Sequence, residues 1–152
     1  MGYTHYWQID SKPTDSEWTA FMEAAAKIIS KAKNSYMINL AWEYDQLDRK
    51  PEVSMELVRF NGTDEDGHET FYFANKVSDF EFCKTARKDY DAPVVAILIA
   101  AKQYLGSKFD WRSDGYGDYQ GETYNDHGDG VKLYNEALGA SLDNTNASKE
   151  RS

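Results

Sequence analysis

From Tyr3 to Asp10 the chain alternates, with Tyr3, His5 and Trp7 on one face and Thr4 and Tyr6 on the other, the period-two signature of a strand. After Pro13 the period changes. Trp18, Phe21, Met22, Ala25, Ile28 and Ile29 recur at helical spacing and form one apolar stripe. Thr14 or Ser16 is placed to cap that helix, Glu17 falls in its first turn, and Asn34-Ser35 ends it after Lys33. Glu17, Glu23, Lys27 and Lys31 are expected on its wet side.

The pattern next predicts a strand over Tyr36–Trp42, a charged turn over Asp45–Pro51, and a strand through Val53, Met55, Leu57 and Phe60. Asn61–Gly67 reads as a polar turn, and His68–Phe73 as the returning strand. Phe80–Tyr90 has no clear period. Asp91 is expected to cap a second helix with Pro93 in its first turn, apolar nearly all round from Val94 to Ala101, and Gly106 stops it. Lys108–Arg112 reads as a short strand, Ser113–Gly130 as a loop, and Val131–Leu138 as a short helix ended by Gly139. Strands and helices mix without a βαβ rhythm. The expected fold is therefore α+β, an antiparallel or mixed sheet packed on two main helices. One domain is expected over residues 1–140, followed by a flexible polar tail over 141–152.

Composition changes this picture little. The chain has 152 residues, 41% hydrophobic and 28% charged, enough for one core of ordinary size. Its net charge of -9 argues against a duplex nucleic-acid partner, which takes a positive footprint. The longest apolar run, Ala92–Ala101, is far short of the ~20 residues that cross a bilayer. A single cysteine, Cys83, cannot form an internal disulfide, and no secretory segment is recognised, so a cytoplasmic location is expected.

Against that acidic background, Cys83-Lys84-Thr85-Ala86-Arg87-Lys88 is a basic island. Lys84, Arg87 and Lys88 can neutralise a phosphate or carboxylate, Thr85 adds a hydroxyl, and a following helix could offer backbone N–H groups. The plainer reading is a solvated turn that pairs with Asp79, Glu81, Asp89 and Asp91. Eleven Tyr and four Trp supply flat faces for a base; Tyr3, Tyr6 and Trp7 are the candidates, though strands favour aromatics for packing alone. His5, His68, Glu69, Cys83, Asp114 and His127 show no metal-ligand spacing, so no metal and no cofactor are expected. The acidic stretch Asp114–Asp129 breaks the calcium-loop series at Tyr116 and reads as a lid or surface excursion. Nucleophile, P-loop and dinucleotide fingerprints are missing. A lowered pKa at Cys83 beside Lys84 is one reading, a buried inert thiol the other.

The blocks Met1-Gly2-Tyr3-Thr4-His5-Tyr6-Trp7, Phe60-Asn61-Gly62, Gly67-His68-Glu69-Thr70-Phe71, Cys83–Lys88 and Ser113-Asp114-Gly115, taken together and in this order, resemble a family of small proteins found in phages, bacteria and some eukaryotic genomes. The sequence departs from that family at Asp89, where Pro is expected, and in the stretch Tyr116–Gly128. The resemblance implies a shared polar and aromatic site and, through phage membership, interference with a host process.

These readings converge on non-catalytic binding of an anionic, nucleotide-like small molecule, such as a phage anti-defence sponge that sequesters a cyclic-nucleotide immune signal. The expected ligand-binding residues are Tyr3, His5, Tyr6, Trp7, His68, Thr70, Lys84, Thr85, Arg87, Lys88 and Asp114, in a homo-oligomer. The alternatives are a phosphodiesterase or nuclease with His5 and His68 as acid and base, or an acidic inhibitor of a host protein.

Overall fold

A computed structural model describes residues 3–114, 116–119, 122–125 and 128–142. Strand β1 (Thr4–Ile9) leads to helix α1 (Asp15–Tyr36), the short strands β2 (Leu40–Ala41) and β3 (Glu52–Val53), then β4 (Leu57–Gly62) and β5 (Phe71–Ala74). Strand β6 (Ser78–Lys84) precedes helix α2 (Asp91–Leu105) and β7 (Phe109–Ser113). The hairpin β8 (Tyr116–Tyr119) and β9 (Glu122–Asn125) follows, and then helix α3 (Gly128–Leu138).

The described strands form two antiparallel sheets. In the first the order is β6-β1-β7-β8-β9; in the second β4 pairs with β2, β3 and β5. The fold is α+β in a single domain, as the mixed pattern predicts.

The period-two pattern of β1 places its faces correctly. Tyr3, His5, Trp7 and Ile9 are buried, while Tyr6 lies on the opposite, open face. Trp7 packs against Phe71 and Phe73 of the second sheet, and Phe73 in turn stacks on Trp18 and meets Phe21 and Phe109. This aromatic cluster joins both sheets to α1. Helix α2 is buried continuously from Pro93 to Ala101 and packs against α1, α3 and β7.

Capping decides where α1 starts. The Thr14 hydroxyl accepts from the Glu17 N–H, and the Glu17 carboxylate accepts from the Thr14 N–H, closing a capping box. The Glu17 carboxylate also accepts from Lys108 Nζ at 2.6 Å, so it is not simply on the wet side.

Four local expectations need correction. Helix α1 continues to Tyr36, which leaves only Leu40–Ala41 as strand, because Met37 closes the helix in a left-handed turn at φ 57°. Strand β6 runs into Phe80–Tyr90, from Ser78 as far as Lys84. Asp91 is the first residue of α2 rather than its cap; the cap position is Tyr90, which makes no side-chain capping bond. The stretch Ser113–Gly130 carries the β8–β9 hairpin, not a loop alone. The short third helix expected over Val131–Leu138 is present as α3, begins at Gly128 and packs on both α1 and α2. His127 and the tail over 143–152 lie outside the described residues.

Candidate functional site

The basic island begins as the end of β6 and continues into a tight turn. At the end of the strand the Thr85 and Ala86 N–H groups both donate to the Tyr3 carbonyl. The next bend is closed by Lys88 N–H donating to the Thr85 carbonyl at 3.0 Å, with Ala86 at φ 54° and Arg87 at φ 60°. Two positive φ values across a four-residue turn are the pattern of a type I′ turn, which Asn-Gly fills without strain. Here Ala and Arg fill it, at a cost of about 1–2 kcal/mol per left-handed residue. That strain carries the guanidinium of Arg87 back over the Tyr3 ring, 4.1 Å from its centroid.

Beneath the turn, Asp91 is the hub. Its Oδ1 accepts from the Thr85 hydroxyl at 2.5 Å and lies 2.6 Å from His5 Nε2. His5 and Thr85 are fully buried, and the Asp91 side chain is 18% exposed. Since a carboxylate only accepts, His5 Nε2 carries a hydrogen and donates it to Asp91. The polar part of the island thus fixes the first turn of α2 to β1.

Above Asp91 opens a cleft of about 440 Å³. Its lining combines the island (Arg87, Lys88, Asp89), the start of α2 (Asp91, Ala92), the start of α3 (Asp129, Gly130, Lys132), Tyr3, and the end of α1 (Tyr36, Ile38). Two helix N-termini meet there and turn the positive ends of their dipoles toward it, although at α2 the Asp91 and Ala92 N–H groups are already taken by the Lys88 and Asp89 carbonyls and Pro93 has none. Gly130 allows the approach of α3 to α2: a Cβ there would stand 2.3 Å from a Val95 methyl. Burial, and then the Glu136 carboxylate that accepts from its hydroxyl, pushes Tyr36 up to about 12, so Tyr36 keeps its proton.

The expected site residues separate into distinct places. Tyr3, Arg87 and Lys88 line the cleft, with Thr85 and His5 directly below and committed to Asp91. Trp7 is 4% exposed and belongs to the aromatic core, so it cannot stack on a ligand. Tyr6 and Asp114 lie together on the outer face of the first sheet, where Asp114 accepts from the Thr4 N–H at 3.1 Å and the Tyr6 hydroxyl at 3.4 Å. Lys84 is held through its main chain, its N–H donating to the Glu69 carboxylate at 2.7 Å.

His68 and Thr70 belong to a third place, the β4–β5 connection. Its centre is Asn61, fully buried, whose amide donates to the His68 carbonyl and Thr70 Oγ1 and accepts from the His68 N–H. Thr70 Oγ1 donates to Glu43 at 2.6 Å, and Glu43 also binds Arg59 at 2.8 Å. Burial pushes the Glu43 carboxyl up, but Thr70, the Tyr44 N–H, Asn61 and Arg59 outweigh it and hold the group below its ordinary value. Gly62 and Gly67 are obligatory here, since a Cβ on Gly62 would stand 2.2 Å from the Asp66 carbonyl oxygen. The Asn-Gly and Gly-His-Glu-Thr blocks therefore have an architectural role. The His68 ring is exposed and makes no hydrogen bond among the described residues.

The blocks are nonetheless knitted together. The Glu69 carbonyl accepts from the Tyr90 hydroxyl at 2.6 Å and from Cys83 Sγ at 3.5 Å. Burial, then the nearby Glu69 charge, pushes the Cys83 thiol far up, which makes it an inert core thiol.

Comparisons with protein-family models, curated proteins and solved structures found no match. What the site can do is read from its own geometry. Among the described residues no three His, Cys, Asp or Glu side chains are grouped to share a metal ion. No described helix is long and apolar enough to cross a membrane. A second groove, of about 700 Å³, runs between α1 and the β2–β3 region, but it contains none of the expected site residues. Tyr36, Asp129 and Lys132 are cleft residues that sequence reasoning missed. Nothing local marks them, since each is brought to the cleft only by helix packing.

Proposed function

We propose that the protein binds an anionic, nucleotide-like small molecule in this cleft and does not cleave it. The observation that supports this reading is the convergence of Arg87, Lys88 and Lys132 around one concave space, beside the positive dipole ends of α2 and α3. The carboxylates shape the ligand further. Asp91 is occupied by His5 and Thr85, which leaves Asp89 and Asp129 to accept hydrogen bonds. A ligand with phosphate at one end and hydroxyl or amino donors at the other satisfies both sets, and Tyr36 offers an aromatic wall, whereas the Tyr3 ring is buried beneath Arg87. The cleft falls within the ordinary range of small-molecule sites. Sequestration of a cyclic-nucleotide immune signal by a phage sponge is the setting that the motif resemblance suggests, with a second subunit closing the cleft.

Binding is favoured over hydrolysis by the state of the two histidines proposed as acid and base. His5 is fully buried on Asp91, while His68 is exposed on the β4–β5 connection. The test is native mass spectrometry of protein purified from cells, then identification of whatever heating releases. Equilibrium dialysis against a panel of mono- and cyclic nucleotides completes it. Retention of an intact nucleotide is expected, and Arg87→Ala should weaken it at least about tenfold, the worth of one charge-assisted phosphate contact. Unchanged affinity in Arg87→Ala would remove the cleft from consideration, and steady product formation by the wild type would establish the hydrolase.

A further inference from the structure

The open face of the first sheet carries a feature that the cleft does not use. Phe80 and Phe82 are 55% and 56% exposed, and they form a row with Tyr6, with ring centroids 5.9 Å (Tyr6–Phe80) and 5.8 Å (Phe80–Phe82) apart. Both phenylalanines sit on β6, the terminal strand of its sheet. The direction of their main-chain groups follows from their neighbours. Thr85 donates its N–H to β1, whereas Lys84 turns both its N–H and its carbonyl to Glu69, away from β1. Phe82 shares the parity of Lys84 in an unbroken register with β1, so its N–H and carbonyl point outward along the free edge. The register slips by one residue between Glu81 and Ser78, and the Phe80 ring, beside Phe82 on the same face, keeps Phe80 in step with it. Among the described residues, no main-chain group outside the β1 ladder bonds to either.

The alternating positions carry charge. Asp79 and Glu81 project to the opposite face of β6, and neither makes a hydrogen bond or ion pair among the described residues. Between Ser78 and Phe82 the edge holds these two carboxylates and no cation. It therefore offers free main-chain donors and acceptors, an aromatic row on one side and uncompensated negative charge on the other.

We propose that the free edge of β6 docks an extended, basic segment of a partner protein by strand addition. The segment's main chain would pair with Phe80 and Phe82. Its apolar side chains would lie beside those rings, and its alternating Lys or Arg residues would meet Asp79 and Glu81. The chain's net charge of -9 favours the approach of such a partner over long range.

A second copy of this chain fits the edge poorly. A two-fold register with Phe80 opposite Phe80 sets Glu81 against Asp79. With Phe80 opposite Phe82, Glu81 meets Glu81. With Phe82 opposite Phe82, pairing calls on the main chain of Lys84, which Glu69 already holds. Like charges directly opposed destabilise a strand pair, and charged edge residues are a common guard against self-association.

The test uses the full chain and an acetylated peptide of alternating Lys and Val, of strand length, with hydrogen exchange read at single amides. The expected result is at least about tenfold slower exchange at the Phe80 and Phe82 amides. An alternating Glu–Val peptide should give no protection, nor should a Lys–Val peptide N-methylated on its pairing edge. Phe80→Pro removes an edge donor that the β1 ladder does not use, so it should abolish protection while the fold, checked by circular dichroism, persists. Glu81→Lys, a surface change, should weaken the basic peptide if Phe80→Pro proves unstable. Equal binding of the N-methylated peptide would reduce the effect to bulk charge and overturn the proposal. Protection of the same amides by protein concentration alone, without peptide, would overturn it in favour of a second copy.

Discussion

Replacing Ala86 by glycine should make the protein more stable, because Ala86 sits in a turn that glycine fills better. At φ 54° its Cβ crowds its own carbonyl, and the left-handed conformation costs about 1–2 kcal/mol. Glycine removes that cost but gives the unfolded chain more freedom, which takes back about 0.4–1 kcal/mol. The expected net gain is about 0.5–1 kcal/mol. For a domain of this length that corresponds to a rise in Tm of about 1–4 °C. The main-chain bonds of the turn, from Ala86 N–H to Tyr3 and from Lys88 N–H to Thr85, are unchanged by the substitution. Urea denaturation followed by circular dichroism measures the effect, with Ala86→Val as the opposite control, since a β-branched side chain suits this region worse. Nucleotide affinity should fall in the glycine variant, because a looser turn no longer holds Arg87 over Tyr3. A loss of stability in Ala86→Gly would show that the turn is not left-handed in solution, and the strain argument for Arg87 would go with it.

His5→Asn should destabilise the fold by about 2–3 kcal/mol, because it leaves a cavity and takes a partner from Asp91, whereas His68→Gln should change stability by less than about 0.5 kcal/mol; chemical denaturation separates the two. Gly62→Ala should cost about 1–3 kcal/mol in the same assay, since its Cβ meets the Asp66 carbonyl and the loop must shift. The folded Glu43 carboxyl lies below the ordinary value of 4.5, so its contribution is complete above that pH and is lost as pH falls through the folded value. Tm should therefore decline on acidification below about 4.5, and Glu43→Gln should flatten that decline; an identical pH profile in the variant would refute the assignment.

Much of the scaffold was legible in the chain. The alternation of Tyr3, His5 and Trp7 against Thr4 and Tyr6 gave the faces of β1 correctly, because a strand's side chains must alternate whatever surrounds it. The stripe from Trp18 to Ile28 and the Thr14–Glu17 capping box are likewise local, set by helix geometry and by two bonds between residues three apart. The continuous apolar run of α2 marked a central helix for the same reason: a helix with no polar face has to be covered on every side.

Other features depended on tertiary structure. Sequence grouped Tyr6, Trp7, His68 and Thr85 with Arg87 by chemical type, yet Tyr6 faces outward, Trp7 is core, His68 lies on another connection and Thr85 serves Asp91. Periodicity says which side of an element is covered, not by what. The β8–β9 hairpin was hidden because glycine and aspartate in Tyr116–Asn125 carry weak strand preference, which pairing can override. The cleft itself has no local signature. Tyr36, Arg87, Asp91 and Lys132 come from the ends of three helices and one turn, and only the packing of α3 across α1 and α2 brings them to one space. Burial pattern is a property of a segment, but a site is a property of crossings between segments, set by the contacts of the whole core.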